Sequence, residues 1–149
     1  MNGAPRAIVL TLALTAAVWS ADGLAAARAE PNLEKRSKLA LDNAEAALKA
    51  AREAYRDGDT AKATESAGEI EESVDLAYAS LTQTGKNPRN SPRWFKYAEM
   101  ATRELSRKVE DFQRQMSFND RETFEKVKAK IQQVHEDLLM GLMEGRKRK

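Results

Sequence analysis

Four stretches of this chain repeat apolar residues at alternating steps of three and four, and that periodicity commits most of it to packed amphipathic helices. The first stripe, from about Leu33 to Arg56, is Leu41, Ala44, Leu48, Ala51 and Tyr55. The second, from about Thr60 to Gln83, is Ala63, Ala67, Ile70, Val74, Ala77 and Leu81. The third, from Pro92 to about Met116, is Trp94, Ala98, Ala101, Leu105, Val109, Phe112 and Met116. The fourth, from about Asp120 to Glu144, is Phe124, Val127, Ile131, Val134, Leu138 and Leu142. At ~100° per residue each set stays on one narrow face, which is what a helical core requires.

The punctuation between the stripes agrees with them. Gly58, Gly85 and Gly145 fall just past helix ends, where a left-handed C-terminal residue is wanted. Ser91-Pro92 reads as an N-cap followed by proline at the first helical position. Asn119, with Glu122 three residues on, predicts a capping box for the fourth helix, with Asp120 as the alternative cap. Asp57-Gly58-Asp59 and Ser117-Phe118-Asn119 leave room only for tight turns, whereas Thr84 to Asn90 is a longer connection. The expected fold is therefore all-α: an antiparallel four-helix bundle of two hairpins joined by a longer loop. The alanine-rich first hairpin should fit against the bulkier second one, and Gly68 and Gly141, inside helices, should mark close approach or a slight kink.

The first thirty residues follow a different rule. Arg6 and the amino terminus precede an uncharged, mostly apolar run from Ala7 to Trp19, and an alanine-rich stretch then ends Ala27-Arg28-Ala29-Glu30-Pro31. That order is a secretory leader, with Ala27 and Ala29 at the two small-residue positions and a cut expected after Ala29. A permanent anchor fits less well, because a span needs about 20 apolar residues and Asp22 interrupts this run after roughly 13. The chain is thus expected to divide into a leader (1–29), a helical bundle (30–145) and a basic tail (146–149), and to work outside the cytoplasm, in the periplasm or secreted.

Composition excludes several classes of activity. With no cysteine there is no disulfide, no thiol nucleophile, no thiolate metal site and no lipidated cysteine at the cut. No nucleophile elbow, phosphate-cradling glycine loop or His-Glu-x-x-His occurs, and the single histidine, His135, has no Glu-x-x-His context for a carboxylate-bridged metal pair. The expectation is a protein that is not an enzyme, with no catalytic residue, no cofactor and no metal ligand. The acidic second helix (Glu65, Glu69, Glu71, Glu72, Asp75) spreads its carboxylates around the polar side rather than gathering them. On the third helix Lys96, Glu99, Arg103, Arg107, Glu110 and Arg114 alternate in sign, with Glu99–Arg103 and Glu110–Arg114 as i,i+4 pairs; this argues against nucleic acid, which wants a net positive footprint.

Two features suit contact with other molecules. Trp94-Phe95-x-Tyr97 puts Trp94 in the core stripe and leaves Phe95 and Tyr97 on its flanks as an aromatic collar. The last four residues, Arg146-Lys147-Arg148-Lys149, add four positive charges to a chain whose formal net charge is only +2. Such a tail is drawn to anionic lipid head groups, polyanions or an acidic partner.

Tyr55-Arg56-Asp57-Gly58-Asp59, with Ala63 following, resembles the turn of a tetratricopeptide repeat, but no second copy follows and the helices are longer than such repeats use. Small envelope chaperones with paired Leu-Thr-x-x-Gln motifs are similar in size and compartment; here Leu81-Thr82 is followed by Gln83, which departs from their spacing. The expected role is a non-catalytic interaction or structural module holding a protein partner in the cell envelope. The alternatives are a bundle binding a small ligand or divalent metal, and a weak membrane-surface or polyanion binder acting through the tail. The stripes do not dictate an oligomeric state.

Overall fold

The computed structural model describes residues 20–145, with side chains from Gly23 onward; the charged start and apolar run of the expected leader (1–19) and the basic tail 146–149 lie outside the described residues. Within that span the chain forms five α-helices, and no strand: α1 (Ser20–Ala29), α2 (Leu33–Arg56), α3 (Thr60–Gln83), α4 (Pro92–Gln115) and α5 (Arg121–Glu144), with a 3-10 turn at Phe118–Asp120 before the last. None of these helices is long and apolar enough to cross a membrane. The bounds of α2 and α3 coincide with their stripes; α4 and α5 each differ from theirs by one residue at one end.

Helices α2 to α5 are 24 residues each, so all four run about 36 Å and match in length. Their starts and stops have local causes. The Asn32 and Asp59 side chains accept the Lys35 and Lys62 backbone N–H at 2.9 and 3.0 Å, capping α2 and α3. Gly58 and Gly85 follow these two helices with φ of 78° and 69°, conformations that a side chain would disfavour. The expected capping box at α5 does not form. The Asp120 carboxylate is taken instead by the Ser117 and Tyr55 hydroxyls, at 2.6 and 3.1 Å, and Tyr55 Oη in turn accepts the Ser117 backbone N–H at 2.9 Å. Tyr55 of α2 thereby pins the turn between α4 and α5.

Each hairpin is antiparallel within itself, but across the hairpins the neighbours are parallel. From α2 to α4, Asp42 meets Tyr97, Glu45 meets Lys108, and Tyr55 meets Phe112, both numbers rising together. From α3 to α5, Asp75 pairs with Lys130 at 3.2 Å. The loop after α3 thus crosses diagonally, and the two hairpins stack in the same sense rather than closing an all-antiparallel ring. Helix α1, which the stripes do not announce, lies on α2 and α3 and forms a further layer.

The stack buries Leu105, Val109, Phe112, Phe124, Ile131 and Leu138 from the second hairpin against Ala44, Leu48, Ile70, Val74 and Leu81 from the first. Phe112 is central, edge-to-face with Tyr55 (5.8 Å between ring centres) and with Phe124 (5.0 Å). The alanines make a second seam: Ala40, Ala47 and Ala51 of α2 are fully buried, and α3 brings buried Ser66, Ser73 and Ser80 at seven-residue intervals.

The two mid-helix glycines part company. At Gly141 an added Cβ would stand 3.2 Å from Pro88 Cγ, so the loop approaches the helix closely there. At Gly68 nothing lies within 4 Å, contrary to the expected close contact. Gly68→Ala should therefore stabilise the fold by roughly 0.5–1 kcal/mol, by favouring the helix without meeting a neighbour. A raised thermal midpoint checks it; a lowered one would mean that α3 needs the glycine.

Candidate interaction surface

The aromatic collar is phased differently from the expectation. Phe95, expected on a flank, is buried and takes the core position expected for Trp94, while Trp94 is half-buried against the core edge. Phe95 is therefore not available as a contact residue. Tyr97 remains at the surface, 37% exposed, but it is engaged: its ring lies 6.1 Å edge-to-face from Trp94, its hydroxyl donates to Asp42 Oδ1 at 3.4 Å, and Lys38 Nζ stands 6.0 Å from its ring centre. Burial, and then the Asp42 carboxylate, push the Tyr97 phenol above its ordinary range. The collar ties the start of α4 to α2.

Around it, one end of the stack collects positive charge. The start of α4, the loop before it and the end of α5 meet there, bringing Lys86, Arg89, Arg93 and Lys96 to the same end, where Arg89 lies against Gly145. Lys86 is paired with Glu34 at 2.6 Å. Arg89, Arg93 and Lys96 have no carboxylate partner among the described residues; the Arg93 guanidinium instead lies over the Trp94 ring at 5.2 Å. At the same end the last turns of α5 expose Leu139, Met140 and Met143, the last at 70%. Tail residues Arg146, Lys147, Arg148 and Lys149 lie outside the described residues, so their contacts are not part of this geometry.

The end also carries two hollows. A half-open cleft of about 170 Å³ between Tyr78, Thr82, Phe95, Leu138 and Gly141 is below the roughly 300–1,000 Å³ usual for a small-molecule site. A shallower depression of about 400 Å³ runs past Glu34, Lys86, Arg93, Trp94 and Lys96, open to solvent and floored by the start of α4. Its shape suits a partner's side chains better than an enclosed ligand.

Elsewhere many of the charges are spent within the fold, although Lys49, Arg56, Lys62, Lys126 and Lys128 also have no ion pair among the described residues. The acids of α3 serve three neighbours: Glu72 pairs with Arg28 of α1 at 2.7 Å, Glu69 accepts from Asn43 of α2 at 2.9 Å, and Asp75 reaches Lys130 of α5. They do not face the basic groups of α4. On α4, Glu99–Arg103 and Glu110–Arg114 pair at 3.7 and 3.0 Å. Among the described residues no three His, Asp or Glu side chains gather as a metal site would need. His135 does have a titratable neighbour that the sequence hid: its Nδ1 lies 3.3 Å from the Glu99 carbonyl oxygen and 3.7 Å from its carboxylate.

The Glu30 carboxyl is held below the ordinary range by the Asn32 N–H and then by Lys35, as are Glu104 and Glu110 by hydrogen bonds from Arg107 and Arg114. Groups whose folded pKa is depressed lend stability that is present above the unfolded value and lost as pH falls through the folded one. The thermal midpoint should hold from neutral down to about pH 5 and decline below about pH 4. A midpoint that rises on acidification would contradict these three pairings.

Comparison of the chain with protein-family models, curated proteins and solved structures finds no match.

Proposed function

We propose that this chain is exported, loses its leader, and works in the periplasm or as a secreted protein, as a non-catalytic helical module. Its rigid hairpins hold a basic, methionine-bearing end toward an acidic protein partner in the cell envelope. One observation carries this reading: Arg89, Arg93 and Lys96, close together on the loop before α4 and its start, have no carboxylate partner among the described residues, at the end of the stack where α5 finishes with exposed Met140 and Met143. Cations next to flexible apolar side chains form a surface that can follow an acidic, partly apolar partner.

The test is recovery of a partner from envelope extract by the exported protein and by its Arg89→Gln/Arg93→Gln/Lys96→Gln variant. Both should melt alike, since these side chains add nothing to the core. The variant should lose the partner, and the intact protein should lose it as salt rises, because screening shortens to about 8 Å at 0.15 M. Equal recovery by both proteins would remove the basic end from the reading.

A second reading has its own observation, the position of Met140 and Met143 directly before the tail. Apolar side chains joined to a polybasic run are the two signals that hold a protein on an anionic membrane. Each basic residue near such a surface contributes about 1 kcal/mol, so deleting residues 146–149 should weaken sedimentation with anionic vesicles strongly at low salt and leave the fold unchanged. If neither form sediments, the membrane reading falls.

A further inference from the structure

Helix α1 packs as a finished part of the fold, although the Ala27-x-Ala29 pattern would discard it. Ala27 is fully buried and Leu24 nearly so, both in the interior formed with α2 and α3. At Gly23 a Cβ would run into the carboxamide oxygen of Asn43, a side chain itself buried and held by bonds to Glu69 Oε1 and Ser73 Oγ at 2.9 Å each. Arg28 pairs with Glu72, and the Glu30 carbonyl accepts from Arg36 Nε at 2.8 Å. Glycine, a small residue one turn on, and a base opposite an acid are thus matched by three complementary features of α2 and α3. A leader destroyed on export has no reason to fit the folded protein, because its contacts never act on the mature chain. Removing α1 would also strip the cover from Asn43, Ser73 and Ala40.

We propose that the leader is cut upstream of α1's packed part, after Ser20, so that the mature protein begins at Ala21 and keeps α1. In sequence, Val18 and Ser20 place short side chains at the two positions that Ala27 and Ala29 would otherwise supply, at the very end of the apolar run. This rests on the export reading above, and refines where processing occurs.

The experiment is the intact mass and N-terminal sequence of protein exported from the full chain with its own leader. An N-terminus at Ala21, or elsewhere between Ala21 and Gly23, supports the proposal. One at Glu30, or anywhere within Leu24 to Ala29, overturns it while leaving export standing. Met1 retained overturns both the proposal and the leader-removal reading on which it rests. A second measurement asks whether the retained segment is packed. Gly23→Ala in the full chain should lower the melting temperature of the exported protein, whereas Gly68→Ala, with open space around it, should raise it. If Gly23→Ala also raises it, α1 is not seated against Asn43 and the proposal falls.

Discussion

Phe112→Ala should be the most damaging single truncation in the described fold, costing roughly 3–5 kcal/mol. The ring is 2% exposed and belongs to both hairpins at once. It meets Tyr55 of α2 and Phe124 of α5 edge-to-face, and the Arg52 guanidinium lies 5.7 Å from its centre. Arg52 also donates to the Lys108 carbonyl at 2.6 Å, tying α2 to α4, so loss of the ring removes one wall of that contact. Edge-to-face pairs add about 0.5–1.5 kcal/mol beyond burial alone, which places Phe112 above Leu105 or Ile131, each expected to cost about 2–5 kcal/mol as alanine. Thermal and denaturant unfolding of the variant check it; a midpoint within a degree or two of the parent would show that the hairpins do not meet through this ring.

Ala47→Leu should fail for the opposite reason. Ala47 is fully buried in the alanine seam, with no space to receive a larger group, and overpacking of this kind costs about 1–3 kcal/mol and occasionally more. Truncation at the same seam is mild: Ala44→Gly should cost only about 1 kcal/mol, mostly as helix propensity. The two halves of the protein should thus respond with opposite asymmetry, the aromatic half to removal of atoms and the alanine half to their addition. An Ala47→Leu variant as stable as the parent would mean that the seam is loose.

The helices were legible because each carries a stripe long enough to average out local accidents. Finer placements depended on contacts that periodicity does not encode. Trp94 and Phe95 are one residue apart, about 100° on a helix, and both are apolar, so only packing could choose Phe95 for the interior. The capping box at Asn119 and Glu122 lost to Tyr55, 65 residues before Asp120 in the chain, whose hydroxyl claims the turn. Gly68 and Gly141 look alike in sequence, and only the approach of Pro88 separates them. Helix α1 stayed hidden because two apolar positions, Leu24 and Ala27, make no stripe, and its alanines suit a leader as well as a close-packed helix. Of the contact residues, the lack of a carboxylate partner at Arg89, Arg93 and Lys96 was invisible until the ion pairs of the fold could be traced, and Tyr97 was found where expected but already occupied.

Hairpins stacked in one sense have a geometric consequence. Unlike a closed ring, such a stack is open-ended, and each outer face is a place where another helical layer could be added, in the same chain or from another molecule. On one side α1 occupies that place. On the other, α4 carries exposed charges paired along its own length, Glu104 with Arg107 and Glu110 with Arg114, which any further layer touching them would have to strip of water. Losing that hydration makes adding a layer there costly.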